Sequence, residues 1–131
     1  MHLKAVNKGG ELVATLIRKN FSSPDLLETP FEKGKIETVF VGGLTVQQVT
    51  LQPGWRWSTH VKPLDKTDSC ERFHVNYVIS GRQKVVMNDG TEIELHPGDL
   101  AIIPSGHDAW VVGDEPSVLI EWATAVKQTS S

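Results

Sequence analysis

Five histidines and one cysteine are the side chains of this 131-residue chain best suited to hold a metal ion or move a proton. His107 has the most telling position. It follows the apolar run Leu100 to Ile103 and the turn Pro104-Ser105-Gly106. A buried strand that ends in a tight turn carrying a histidine is a good place for a metal ligand. His74 lies inside a strand-like run, where a hydrogen-bonded core histidine is the plain alternative to a ligand. His60 closes another such run and reads either as a ligand or as a strand-end histidine near solvent. His96 precedes Pro97-Gly98 in a turn and reads as a surface residue, and His2 is terminal and uninformative. Cys70, in the polar run LDKTDSC, is expected to be a free thiol that takes no part in metal binding, because no second cysteine stands by as a resolving partner. The opposing reading makes it a thiolate that joins the metal or reacts with a substrate. Glu71 and Asp108 are either partners that orient an imidazole or solvated loop charges.

The elements that must position these residues are short strands. Ile36 to Val41 is rich in β-branched and aromatic residues, Gly42-Gly43 is a hairpin signal, and Thr45 to Leu51 is strand-like again. After Pro53-Gly54, Trp55 to Lys62 alternates, with Arg56, Ser58, His60 and Lys62 on one face of an expected strand. Phe73 to Ser80 alternates too, with His74, Asn76 and Val78 on one side. Gln83 to Met87 and Thr91 to Leu95 flank the turn Asn88-Asp89-Gly90, Ala109 to Val112 follows His107, and Val118 to Ala123 is the last run. The residues Ser22, Ser23, Pro24, Thr29 and Pro30 predict a loop before this series. Many short strands at a spacing of roughly eight to twelve residues, without a helical period, predict an all-β sandwich or barrel. The expected division is an N-terminal arm over residues 1–35, packed on the barrel or on a partner subunit, and a barrel over residues 36–131.

Composition narrows the function classes. The net charge of −3 gives no electrostatic reason to expect nucleic acid or an anionic membrane as partner. No stretch of 18 apolar residues is present, so no membrane span is expected, and the first twenty residues lack the apolar core of a signal peptide. A single cysteine excludes an internal disulfide and fits a reducing compartment, so a cytoplasmic location is expected.

Two stretches resemble the cupins. The run HPGDLAIIPSGHDAW, His96 to Trp110, resembles the second cupin motif, G-x5-P-x-G-x2-H-x3-N, through Gly98, Pro104 and Gly106. Gly54 to Gly81 resembles the first motif, G-x5-H-x-H-x3,4-E-x6-G, through Gly54, His60 and Gly81. Lys62 stands at the place of that motif's second histidine and His74 at the place of its glutamate; Ala109 occupies the second-motif histidine position, with His107 two residues earlier. The resemblance implies a double-stranded β-helix, the cupin or jelly-roll barrel, and a small single-domain protein that forms a homodimer. It also implies that His60, His74 and His107 converge on one divalent metal inside the barrel. Three imidazoles suit several metals; iron or zinc is favoured, with manganese, nickel or copper as alternatives. Such a set leaves positions open for water, O2 or substrate. Arg56 and Lys62, on the His60 face, hint at an acidic ligand, or simply lie in water near the barrel mouth. The implied function is a metal-binding cupin holding a small polar or anionic molecule, as a metal-dependent oxygenase (dioxygenase) or isomerase. The alternative is a non-catalytic small-molecule binding or sensing barrel without tightly bound metal.

Overall fold

The computed structural model describes residues 15–122, and nine strands lie among them. They are β1 (Leu26–Glu28), β2 (Gly34–Val41), β3 (Leu44–Leu51), β4 (His74–Ser80), β5 (Arg82–Met87), β6 (Glu92–Leu95), β7 (Leu100–Ile103), β8 (His107–Val112) and β9 (Ser117–Trp122). Two single-turn helices, α1 (Trp57–His60) and α2 (Lys62–Asp65), interrupt the series. All pairings are antiparallel. One sheet has the order β1-β2-β3-β9-β4-β7 and the other the order β6-β5-β8. The two close into a double-stranded β-barrel.

Alternation decides what each sheet offers its interior. Register places Ile36, Val49, Leu119 and Val78 in one row across four strands of the larger sheet. Val49, Val78 and Leu119 are buried, and this row packs with Leu51, Trp55 and Leu95 into the core. The next inward row is Thr38, Gln47, Glu121, Asn76 and Ala101, which is mostly polar. An interior face with one apolar and one polar band builds a stable wall and still presents hydrogen-bonding groups.

Two segments differ from their expected form. Trp55 to Lys62 is not a strand: after the turn at Gly54 the chain coils into α1 and then α2, whose first turn contains Pro63. Trp57 and Val61, four residues apart, are both buried, whereas Thr59 is exposed, so the burial follows a helical period here. Asp108 Oδ1 accepts the Ser58 backbone N–H at 3.1 Å and ties α1 to β8. The stretch expected as a loop, residues 22–30, contains β1, which pairs with β2 from Leu26 opposite Thr38 to Glu28 opposite Ile36. The described part of the expected arm thus adds a strand to the sheet edge. Residues 1–14 of the expected arm, and Ala123 at the end of the last expected strand, lie outside the described residues. Among the described residues, no helix is long and apolar enough to cross a membrane.

Candidate metal centre

Cys70, His74 and His107 each offer one ligand atom, and these atoms all lie within 4.8 Å of one another. Cys70 and His107 are buried and His74 is partly so. Backbone pairing builds the cluster. The Cys70 N–H donates to the His107 carbonyl at 2.7 Å, and the Cys70 carbonyl accepts from Gly106 N–H at 2.7 Å and from His107 N–H at 3.2 Å. The left-handed φ of Gly106, +95°, shapes the turn that presents both N–H groups to one oxygen. Cys70, although its neighbours in the run LDKTDSC are polar, is therefore buried and clamped to the start of β8.

The two imidazoles have assigned tautomers. His107 Nδ1 lies 2.7 Å from the Pro104 carbonyl, and His74 Nδ1 is hydrogen-bonded to Glu121 Oε1. Carbonyls and carboxylates only accept, so each Nδ1 carries the hydrogen and Nε2 is the atom left to face the cluster. His74 Nε2 is 3.7 Å from Cys70 Sγ, and the two rings stand edge to face with centroids 5.2 Å apart. Glu121 reaches His74 diagonally: on β9 it lies opposite Asn76, two residues along β4. This is the arrangement in which outer acceptors fix ligand histidines and raise their basicity.

Electrostatics polarise the cluster. Burial pushes the Cys70 thiol up, but His107, His74 and the Arg72 backbone N–H outweigh it and bring it down to about 6. Burial pulls the His74 imidazolium down, but Cys70 and Glu121 outweigh it and raise it to about 9. Both directions favour a thiolate beside an imidazolium at neutral pH.

Of the three histidines expected as ligands, the structure brings His74 and His107 together and leaves His60 apart. The α1 turn, in place of the expected strand, carries His60 away, and its Nδ1 lies 3.1 Å from the Arg56 backbone. Cys70 stands third in the cluster. Lys62 starts α2 and does not line the cavity, and Arg56 lies over the Trp110 ring at 4.1 Å. Sequence reasoning missed Glu121. Its signal was a carboxylate in an apolar strand, two residues from the inward Leu119 and so on the same face.

The cluster lines a cavity of about 380 Å³ in the barrel. Trp55, Trp57, Leu51, Val61 and Ile103 form apolar wall, Asn76, Gln83 and Gln47 supply amides, and Glu28, Asp65 and Arg72 add charge.

A family model described as "Cupin domain" matches residues 47–123, more than half of the chain. The chain belongs to the cupins. A search of curated proteins found no match to this cupin. Among solved structures it is similar to a protein of unknown function from Rhizobium leguminosarum, at 18% identity with a TM-score of 0.59, covering 82% of this chain and 95% of that one. It is similar to a second protein of unknown function, from Acidithiobacillus ferrooxidans, at 20% identity with a TM-score of 0.57, covering 77% and 88%. KdgF from a Halomonas species matches at 20% identity with a TM-score of 0.53, covering 73% of this chain and 82% of that one. These likenesses establish the barrel fold. The cupin's chemistry has to be argued from its own residues.

Proposed function

We propose that this cupin binds one divalent metal through Cys70, His74 and His107 and holds a small polar or anionic molecule beside it in the barrel. The observation that carries the reading is the pair of fixed imidazoles. Each has Nδ1–H committed to an acceptor, and the remaining ligand atoms converge with the thiol beside a cavity. A thiolate with two imidazoles is a soft set that favours zinc or iron over manganese, and His60 has no part in it. When bound, such a metal supplies a Lewis acid with open positions, as metal-dependent oxygenases and isomerases require. Glu121 holds the His74 tautomer.

The alternative, a binding barrel without tight metal, has one observation in its favour: Cys70 Sγ lies 3.7 Å from His74 Nε2, and the opposite directions of their ionisation shifts let the two groups satisfy each other without a metal. Metal analysis after purification without an affinity tag and reloading with zinc or iron separates the two. The expected result is about one ion per chain, lost in Cys70→Ser and in His74→Ala and kept in His60→Ala. A wild-type chain that stays empty after reloading would put the metal-free barrel in front.

The proposal extends to assembly and location. The outer face of the larger sheet exposes Tyr77, Ile79, Leu100 and Ile102, and β7 is an edge strand with no charged residue. An unprotected apolar edge of this kind suits a symmetric homodimer. A lone thiol kept reduced in the site suits the cytoplasm.

A further inference from the structure

We infer that the molecule in the cavity is a small monocarboxylic acid with an apolar or aromatic body, and that Arg72 receives its carboxylate. The inference rests on the small-molecule reading above and adds the chemical class of the occupant. Among the described residues, Arg72 is the one Lys or Arg that lines the cavity. It stands between Cys70 and His74 in the chain, two residues from each, so two members of the cluster hold its backbone on either side. Its guanidinium forms no ion pair among the described residues, although Glu28 and Asp65 line the same cavity. A planar, unpaired fork of donors at a cavity matches a carboxylate two bonds at a time.

The rest of the lining sets the remaining features. Phe31 and Trp55, with ring centroids 6.0 Å apart, and Trp57 offer apolar surface to the body of the ligand. Glu28 and Asp65 are likewise unpaired among the described residues, so they oppose a second negative charge and select against diacids. The deeper amides, Asn76 and Gln83, are only 3% and 6% exposed, and Asn76 Oδ1 and Gln83 Oε1 have no partner among the described residues. Buried polar atoms are rarely left so in natural proteins. With the likewise unpartnered Trp55 Nε1 and Trp57 Nε1, four such atoms belong to residues of this one cavity, two acceptors and two donors, and they point to an occupant that both accepts and donates hydrogen bonds, itself or through waters it orders.

The test is isothermal titration calorimetry with three probes: 3-phenylpropanoate, 2-phenylethylamine and phenylsuccinate. Each is titrated into zinc-loaded and into chelator-treated full-length protein, for the wild type and for Arg72→Gln. Arg72 is exposed and its backbone N–H survives the change, so the variant should fold; circular dichroism and zinc content confirm that. The expected result is that 3-phenylpropanoate binds best and loses about tenfold or more in affinity in Arg72→Gln, as for a lost charge-assisted pair. Arg72→Lys should recover part of that loss. Binding of 3-phenylpropanoate that is absent, indifferent to Arg72, or weaker than that of the amine or the diacid would overturn the inference. The metal and ligand readings fail separately. Arg72-dependent binding to protein that takes up no zinc keeps this inference and removes the metal, and full zinc loading with Arg72-independent binding does the reverse.

Discussion

In protein stripped of metal, Cys70 is expected to be a thiolate at neutral pH. With its ionisation held down to about 6, roughly nine-tenths of the side chain is ionised at pH 7, against a few per cent for an ordinary thiol near 8.5. The perturbation is pH, followed by the ultraviolet absorbance of the thiolate and by the rate of iodoacetamide alkylation. Both should rise with a midpoint near 6, and the His74 imidazole should keep its proton until about pH 9 in a proton NMR titration. Stability follows with definite signs. The Cys70 ionisation is depressed by folding, so its contribution is lost as pH falls through about 6. That of His74 is raised, so its contribution is present at low pH and lost as pH rises through about 9. The metal-free melting temperature should therefore be highest between about pH 6 and about pH 9. Glu121→Gln removes one support of the His74 charge and should move the upper edge down. A thiolate midpoint at pH 8 to 9 with a His74 midpoint near 6.5 would refute the coupling.

Three further outcomes concern the fold, the metal and the assembly. Gly81 has φ +74°, and a Cβ there would lie 2.1 Å from the Pro116 carbonyl oxygen, so Gly81→Ala should cost about 2–4 kcal/mol in a denaturant titration. In Glu121→Gln, zinc affinity measured by chelator competition at pH 9.5 should fall about tenfold or more, the usual effect of removing an outer partner of a ligand histidine; an unchanged affinity would show that Glu121 does not orient His74. Light scattering at micromolar concentration should give a dimer mass for the wild type and a monomer mass for the double variant Leu100→Lys, Ile102→Lys. A wild-type monomer would end the dimer proposal.

The strands were legible because their signal is local. Alternation in His74 to Ser80 and the turns at Gly42-Gly43, Asn88 to Gly90 and Pro104 to Gly106 need no tertiary information. The segment from Trp55 to Lys62 was not, because Trp55, Trp57 and Val61 fit the period of a strand as well as a single helical turn, and the tie from Asp108 to Ser58 joins residues 50 apart in the chain. His74 and His107 were visible as inward or turn-borne imidazoles. Cys70 was hidden for a physical reason: its neighbours are polar, and what buries it is a backbone bridge to His107. Glu121 was hidden in the same way, since its partner lies 47 residues earlier and is reached diagonally from β9 to β4. A ligand set gathered from a loop, two strands and an outer carboxylate is a property of register, and local pattern carries little of it.

The central claim, that Cys70, His74 and His107 hold the metal, is tested most directly by titrating the metal-free protein with cobalt(II) and following the ultraviolet thiolate-to-cobalt charge-transfer band. The band should saturate at one cobalt per chain, vanish in Cys70→Ser, weaken in His107→Ala and persist in His60→Ala. A wild-type protein that shows no such band, or one whose band depends on His60, would contradict the account.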